Sequence, residues 1–287
     1  MKRKIFLFDI DRTLINEKHE VFDETKKALK TIESNGDIFA LNTGRGHFST
    51  IPVAKQVNSR YAIVFNGQSI YDFKENKYIE NNFMDIKIVF KLYDFISKFN
   101  VSIMTYFNNK VVTWNRINSP TFYSNLSEEK KEHFVDHYIE YPFNGKAEYK
   151  DYISQIEDKI IKVIVLSGNE NTMEIKNKLI ENFGEHFNFY IGAGNLGNIE
   201  ISLKGFNKYT GGLSLINKLG MKREDVNIIA FGDAENDVPI FEKADYSIGM
   251  GNSEEIVKNK ITYKTKDFND HNAIKEGVEQ AYKALKK

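Results

Sequence analysis

The sequence predicts an α/β protein: a doubly wound, mainly parallel sheet interrupted by an inserted α+β domain. Three observations lead there. At both ends of the 287-residue chain, short apolar runs alternate with helix-spaced amphipathic segments. The middle switches to paired apolar runs joined by turns. The apolar runs at the two ends stop at similar turns of small and polar residues. The expected organisation is a discontinuous core, residues 1–83 and 196–287, with an insertion at 84–195.

Each element has its own signal. Ile5–Phe8 is an unbroken apolar run halted by Asp9, as suits a strand buried on both faces. Asp9 and Asp11 then fall at its carboxyl end, the edge at which open α/β sheets bind ligands. Phe22–Asn35 carries acids in its first turn, helical apolar spacing and a glycine stop. Asp37–Leu41 is a second strand, ending in Asn42-Thr43-Gly44-Arg45, and a helix is expected from there to about Val57. Tyr61–Phe65 is a third strand ending in Asn66-Gly67, with a hairpin of Gln68–Tyr71 and Lys77–Glu80 behind it. In the insertion, a helix (Asp85–Phe99) precedes two strands around Asn108-Asn109, Val101–Phe107 and Lys110–Trp114. A polar helix near Ser127–Glu140, a strand Ile160–Leu166 and a helix Asn171–Phe183 follow, then strands Phe187–Ile191 and Asn198–Leu203. From Lys208 the first pattern returns: a helix to Leu219, a strand Val226–Phe231, and the turn G-D-A-E-N-D, Gly232–Asp237. A short strand Tyr246–Ile248, the turn Gly249–Asn252 and a helix Asn272–Leu285 complete the chain.

Composition narrows the function. Forty basic and forty acidic residues cancel, so no global charge argues for nucleic acid or an anionic membrane. The absence of cysteine excludes disulfides, thiol catalysis and Cys-ligated zinc. Met1–Lys4 followed by apolar residues imitates the start of a signal peptide, but the run is too short and meets Asp9. The expectation is a cytoplasmic protein with no membrane segment. Two patterns are decoys. Gly192–Gly197 matches G-x-G-x-x-G, yet a strand follows it where a dinucleotide site needs a helix. His133 and His137 have the i, i+4 spacing of a zinc pair, but Phe134 stands where the glutamate of that motif belongs.

Chemistry concentrates in the turns D-I-D, N-T-G-R and G-D-A-E-N-D. In a parallel sheet such turns share one edge, which brings Asp9, Asp11, Asp233 and Asp237 together. Crowded carboxylates raise one another's pKa values, and a hard divalent cation relieves that strain. Mg²⁺ fits, because it takes oxygen ligands and favours one or two carboxylates plus a substrate phosphate.

D-I-D-R-T-L, N-T-G-R, a lysine at a helix start (Lys208) and G-D-A-E-N-D occur in the order of the four motifs of the haloacid dehalogenase superfamily. Asn66-Gly67 and G-M-G-N resemble its Cof-type phosphatase branch, and the insertion resembles the type C2B cap of that branch. The resemblance implies a Mg²⁺-dependent hydrolase of a small phosphorylated metabolite, with neither nucleic acid nor membrane as partner. It implies that Asp9 attacks phosphorus to form an aspartyl-phosphate, and that Asp11 is the general acid and base, a role requiring a raised pKa. Asp9, Asp11 through its backbone carbonyl, Asp233 and Asp237 would form the metal site. Thr43, the Gly44 amide and Arg45, together with Asn66, would bind phosphate. Lys208 would offset the negative charge, with Asp237 and Asn236 holding Lys208 and a metal-bound water in place. A phosphomutase using the same aspartyl-phosphate and a non-catalytic phosphate-binding regulator are the alternatives.

Two features stay open. Arg12 stands where this family usually has a small residue, often glycine. Either its side chain points to solvent and its backbone needs no positive φ, or it reaches a second anionic group of the substrate or the cap. The aromatics of the insertion, Trp114 among them, either stack on a substrate base or sugar or belong to a core.

Overall fold

The computed structural model describes residues 2–114, 138–140, 143, 145–167, 171–192, 197–266 and 271–286. In chain order these form β1 (Arg3–Phe8), α1 (Asp23–Ser34), β2 (Ile38–Asn42), α2 (His47–Val57), β3 (Tyr61–Val64), β4 (Ser69–Asp72) and β5 (Lys77–Asn81). Then come α3 (Ile86–Ile96), β6 (Ser102–Tyr106), β7 (Val111–Trp114), β8 (Tyr138–Glu140), α4 (Lys146–Ser154), β9 (Lys162–Leu166), α5 (Thr172–Phe183), β10 (Phe187–Ile191) and β11 (Asn198–Leu203). The chain continues with α6 (Lys208–Lys218), β12 (Val226–Gly232), α7 (Val238–Phe241), β13 (Tyr246–Gly249), β14 (Tyr263–Lys264) and α8 (Ala273–Ala284).

Two units result: residues 1–81 with 206–287, and residues 82–205. The first holds an eight-stranded sheet in the order β14-β13-β12-β1-β2-β3-β4-β5. Its pairs are parallel from β14 to β3 and antiparallel for β3–β4 and β4–β5. β1 lies in the middle, buried on both faces. Ile5 and Leu7 pack with Leu215 and Ile216 of α6 and with Ile240 and Phe241 of α7. Phe6 and Phe8 face the other way, where the ring of Tyr282 on α8 lies 5.5 Å from Phe6. The two-sided burial explains why the run is continuous where a half-exposed strand would alternate. In register, Phe8 pairs with Phe231 on one side and Leu41 on the other. The chain therefore leaves β1, β2 and β12 at one edge, and the three polar turns meet there.

The second unit holds a six-stranded sheet, β10-β11-β9-β6-β7-β8, antiparallel except between β7 and β8. Helices α3, α4 and α5 bury Leu92, Tyr93, Tyr149, Ile153, Ile175 and Leu179 in one core with its strands. Trp114 is in that core, stacked on Tyr149 at 5.6 Å, so the core alternative holds for this ring. Tyr149 also donates its hydroxyl to the Val112 carbonyl at 3.1 Å, which satisfies the buried phenol.

Several sequence expectations need correction. β11 pairs with β9 and β10, so the return to the first unit comes at 205/206 and not at 195/196. α4 and the two-residue β14 were not expected. The polar helix anticipated near 127–140 lies outside the described residues up to 137, and its last three residues are β8. His133 and His137 also lie outside the described residues. Gly192 directly follows β10 and Gly197 directly precedes β11, the Gly192 amide donating to the Asn198 carbonyl at 2.9 Å, so the glycine run leads into a strand and not a helix. No helix among the described residues is long and apolar enough to cross a membrane.

Candidate active site

The site is built on the carboxyl edge of the first sheet. Asp9 follows β1 directly, with its amide donating to the Phe231 carbonyl at 3.0 Å, so β12 fixes where its carboxylate begins. Lys208 is the first residue of α6. Asn207 caps that helix by accepting from the Tyr209 and Thr210 amides, and its own backbone amide donates to the Thr210 hydroxyl oxygen at 2.9 Å. Gly67, at φ 93°, lets this helix start approach: a Cβ there would lie 2.0 Å from the Asn207 carbonyl oxygen. Asn42, at the end of β2, donates to the Lys208 carbonyl at 3.0 Å.

Lys208 is fully buried and its ammonium donates to Asp9 Oδ1 and to Asp237 Oδ1, both at 2.6 Å. Asp237 turns back onto its own loop, where Oδ2 accepts from the amides of Asp233 at 2.9 Å and Ala234 at 3.1 Å. Gly232 is what permits this. A methyl group there would stand 2.2 Å from the Asp237 carboxyl carbon, so the glycine of G-D-A-E-N-D has a steric reason.

Asp9, Asp233 and Asp237 each present a ligand atom within 4.8 Å of the others, and all three are buried. Burial pushes the Asp9 carboxyl well above the usual carboxylate range despite the opposing charge of Lys208, and the charges of Asp237 and Asp233 add to the rise. Burial likewise pushes Asp233 up to about 7, helped by Asp237 and opposed by Arg12 and Lys208. Burial alone would lower the Lys208 pKa, but the charges of Asp237 and Asp9 outweigh it and the net direction is up. Asp233 Oδ1 accepts from the Thr13 hydroxyl at 3.3 Å, whereas its buried Oδ2 accepts no hydrogen bond. A hard, all-oxygen donor set with one orphaned carboxylate oxygen fits a divalent cation.

Asp11 departs from expectation. Its half-exposed carboxylate is turned onto Arg45, at 2.8 Å to Nε and 2.5 Å to Nη2. Arg45 is further fixed by donating to the Ser49 carbonyl at 3.1 Å, and His19 Nδ1 lies 3.4 Å from its Nη2. Burial would raise the Asp11 pKa, but the charge and hydrogen bonds of Arg45, then His19, outweigh it and hold the carboxyl below its ordinary value. The raised pKa expected of Asp11 is thus corrected, because the bidentate fork favours the ionised form. By the same contact, Arg45 is bound to protein groups where a phosphate contact was expected.

The other anticipated residues gather around this edge. Thr43 is buried and accepts the Arg45 amide at 3.1 Å through its hydroxyl, with Gly44 half-buried between them. The Asn66 amide donates to the Thr43 carbonyl at 3.0 Å, and Asn66 Oδ1 accepts from Asn236 Nδ2 at 2.9 Å. Asn66 sits in a left-handed turn, φ 55°, which joins the end of β3 to the G-D-A-E-N-D loop.

Sequence reasoning did not assign Thr13, His19, Asn42 or Glu254 to this edge. Thr13 had a signal, since it lies in the D-I-D-R-T run. Asn42 likewise opens the N-T-G-R turn. Arg12 has φ 57°, so the alternative in which its backbone needs no positive φ is overturned. Its side chain folds onto protein groups, with Nη2 donating to the Asn252 carbonyl at 2.9 Å.

Comparison with known proteins finds similarity along nearly the whole chain. A family model described as haloacid dehalogenase-like hydrolase matches residues 6–278. The 5-amino-6-(5-phospho-D-ribitylamino)uracil phosphatase YcsE of Bacillus subtilis is 26% identical over 279 residues, covering 97% of this chain and 94% of its own. Among solved structures, a haloacid dehalogenase-like hydrolase from B. subtilis superposes with a TM-score of 0.79 at 20% identity, over 98% of this chain and 99% of that one. The subclass IIB sugar phosphatase BT4131 superposes with a TM-score of 0.75 at 20% identity over 99% of both chains.

Proposed function

We propose that this chain, which belongs to the haloacid dehalogenase-like hydrolase family and is a phosphatase, hydrolyses a small phosphomonoester through Asp9 with the help of Mg²⁺. The observation that carries this reading is the buried constellation of Asp9, Asp233, Asp237 and Lys208 at the carboxyl edge of β1 and β12. A non-catalytic binding pocket for an anion has no use for three buried carboxylates.

The residues take the following parts. Asp9 is the nucleophile. Lys208 holds its Oδ1, which leaves the other oxygen to bond to phosphorus as the bond to the leaving oxygen breaks, giving an aspartyl-phosphate. The proton for the leaving oxygen comes from Asp11, which afterwards takes one from the water that cleaves the acyl phosphate. Because Arg45 favours ionised Asp11, this step requires the Asp11–Arg45 pair to part. Thr43, the Gly44 amide, Asn66 and Asn236 are assigned to the transferring phosphoryl oxygens, and Arg45 to the same group once released. Lys208 neutralises the charge that builds up between Asp9 and Asp237. The carboxylates of Asp9 and Asp233 with the backbone carbonyl of Asp11 would hold Mg²⁺, with Asp237 beside them, and the ion supplies Lewis-acid charge and a template for the phosphate. Residues 82–205 have their own sheet and core, which supports reading them as the cap that selects among substrates.

Names among the relatives point to small phosphorylated metabolites: a ribitylaminouracil phosphate for the B. subtilis protein, and pyridoxal phosphate for an Escherichia coli relative of 21% identity. The test is release of phosphate from p-nitrophenyl phosphate by wild type and Asp9→Asn, with Mg²⁺ or with EDTA. Turnover that needs Mg²⁺ and is lost in the variant is the expected result. Full turnover by Asp9→Asn would remove Asp9 from the chemistry. A doubly phosphorylated intermediate retained during turnover of a sugar phosphate would instead favour the mutase.

A further inference from the structure

Arg12 occupies a left-handed position, φ 57°, directly after the D-I-D run. Such a backbone disfavours any residue with a Cβ, so a long side chain there calls for a compensating role. Its guanidinium is used on both arms. Nη2 donates to the Asn252 carbonyl, while Nη1 lies 3.4 Å from Asp233 Oδ2 and 3.8 Å from Glu254 Oε1. Asn252 Nδ2 donates back to the Arg12 carbonyl at 3.2 Å, and the Glu254 amide donates to the Asp233 carbonyl at 2.8 Å. Arg12 therefore ties the loop after β1 to the loops after β12 and β13. The carboxylate oxygen it faces is the one that accepts no hydrogen bond.

The charge balance gives this contact its meaning. Lys208 pairs with Asp9 and Asp237, and among the described residues the ion-pair partner of Asp233 is Arg12. We propose that Arg12 is the resident counter-charge of the metal-free site, held against Asp233 Oδ2 until a divalent cation takes that oxygen. The inference rests on the divalent-cation reading above and adds a positioning residue to it. A guanidinium and a dication repel each other and compete for one oxygen, so each weakens the other's hold on Asp233 by the same factor. The fork of an arginine suits the task, since one arm stays on the Asn252 carbonyl while the other lets go. Arg12 thus keeps the acidic cluster folded whenever no ion is bound and in return lowers its affinity for the ion.

The experiment is calorimetric titration of Mg²⁺ into metal-free, full-length protein, paired with melting temperatures in EDTA and in saturating Mg²⁺. Wild type is compared with Arg12→Gln, Arg12→Lys and Arg12→Gly. Arg12→Gln keeps the backbone penalty and much of the length but removes the charge. It should bind Mg²⁺ about fivefold tighter, with partial exposure of Arg12 damping the effect. Its melting temperature should drop in EDTA and recover with Mg²⁺, giving a larger gain on metal binding than wild type shows. Arg12→Lys keeps the charge and should stay within about twofold of wild-type affinity. Arg12→Gly relieves the left-handed backbone, so it separates strain from charge: its affinity must tighten as in Arg12→Gln whatever its melting temperature, and it decides the matter if the glutamine variant does not fold. Unchanged or weaker Mg²⁺ binding in the charge-removing variants, with wild type binding normally, would overturn the role of Arg12 alone. A wild type that takes up no Mg²⁺ would overturn the metal reading and this inference together.

Discussion

Replacing Lys208 with methionine tests the electrostatics of the site most directly. The substitution keeps an unbranched chain of similar length but withdraws the ammonium from two carboxylates, each 2.6 Å away and each buried. Removing one partner of a buried ion pair costs about 3–5 kcal/mol, because the charge left behind cannot be resolvated. A domain stable by about 5–15 kcal/mol should survive that loss, so the variant remains measurable. The cost depends on pH. Asp9 and Asp233 have folded pKa values raised by burial, Asp233 to about 7. A raised folded pKa means that the group's contribution is full below the unfolded value, near 3.8, and is lost as pH rises through the folded one. Metal-free wild type should therefore lose stability between about pH 4 and pH 7. In Lys208→Met the carboxyl of Asp9 rises further still, since its opposing cation is gone. The deficit against wild type should be largest at pH 8 and shrink at pH 5, where a carboxyl can stay protonated. Urea unfolding in EDTA at the two pH values measures it, and Mg²⁺ at pH 8 should restore part of the loss. A deficit under about 1 kcal/mol that is equal at both pH values would refute the buried-pair argument.

Two further substitutions probe separate parts of the edge. Gly232→Ala places a methyl group on the Asp237 carboxylate, so it should cost about 1–3 kcal/mol in urea unfolding and weaken Mg²⁺ binding in calorimetry; wild-type values for both would mean that the loop has room to give. Arg45→Ala releases Asp11, and the effect should depend on the leaving group. Turnover of an alkyl phosphate, which needs a proton donor, should change far more than turnover of p-nitrophenyl phosphate, and equal changes for both esters would count against a hold on Asp11.

Much of this was legible in the sequence, for identifiable reasons. Ile5–Phe8 reads as a central strand because both of its faces are buried, and a parallel sheet sends the turns after β1, β2 and β12 to one edge whatever the loop lengths between them. That logic brings Asp9, Asp233 and Asp237 together without knowledge of any side-chain rotamer. The turn of Asp11 onto Arg45 is a rotamer choice between residues on two different strand ends, and no spacing encodes it. Nor does a residue type reveal a left-handed backbone at an arginine, so the partners of Arg12 had to be seen. α4 carries little sequence signal, because its buried residues are Tyr149 and Ile153, a single i, i+4 pair, and because Gly145 precedes it with no capping side chain. No sequence signal marks the boundary at 205/206, because β11 is an ordinary strand whose partners alone assign it to a sheet.

The pairing of β1 with β12 also has a consequence in time. The strand that carries Asp9 leaves the ribosome well before one of its two neighbours, which is made roughly 220 residues later, after an interval of roughly 10–40 s at ordinary rates of synthesis. Throughout that interval the Phe6 and Phe8 side of β1 lacks Phe231, and the row of backbone groups destined for β12 stands open. A nascent chain of this design must wait with an apolar edge uncovered. Its biogenesis, more than its finished fold, is where dependence on chaperones should be greatest.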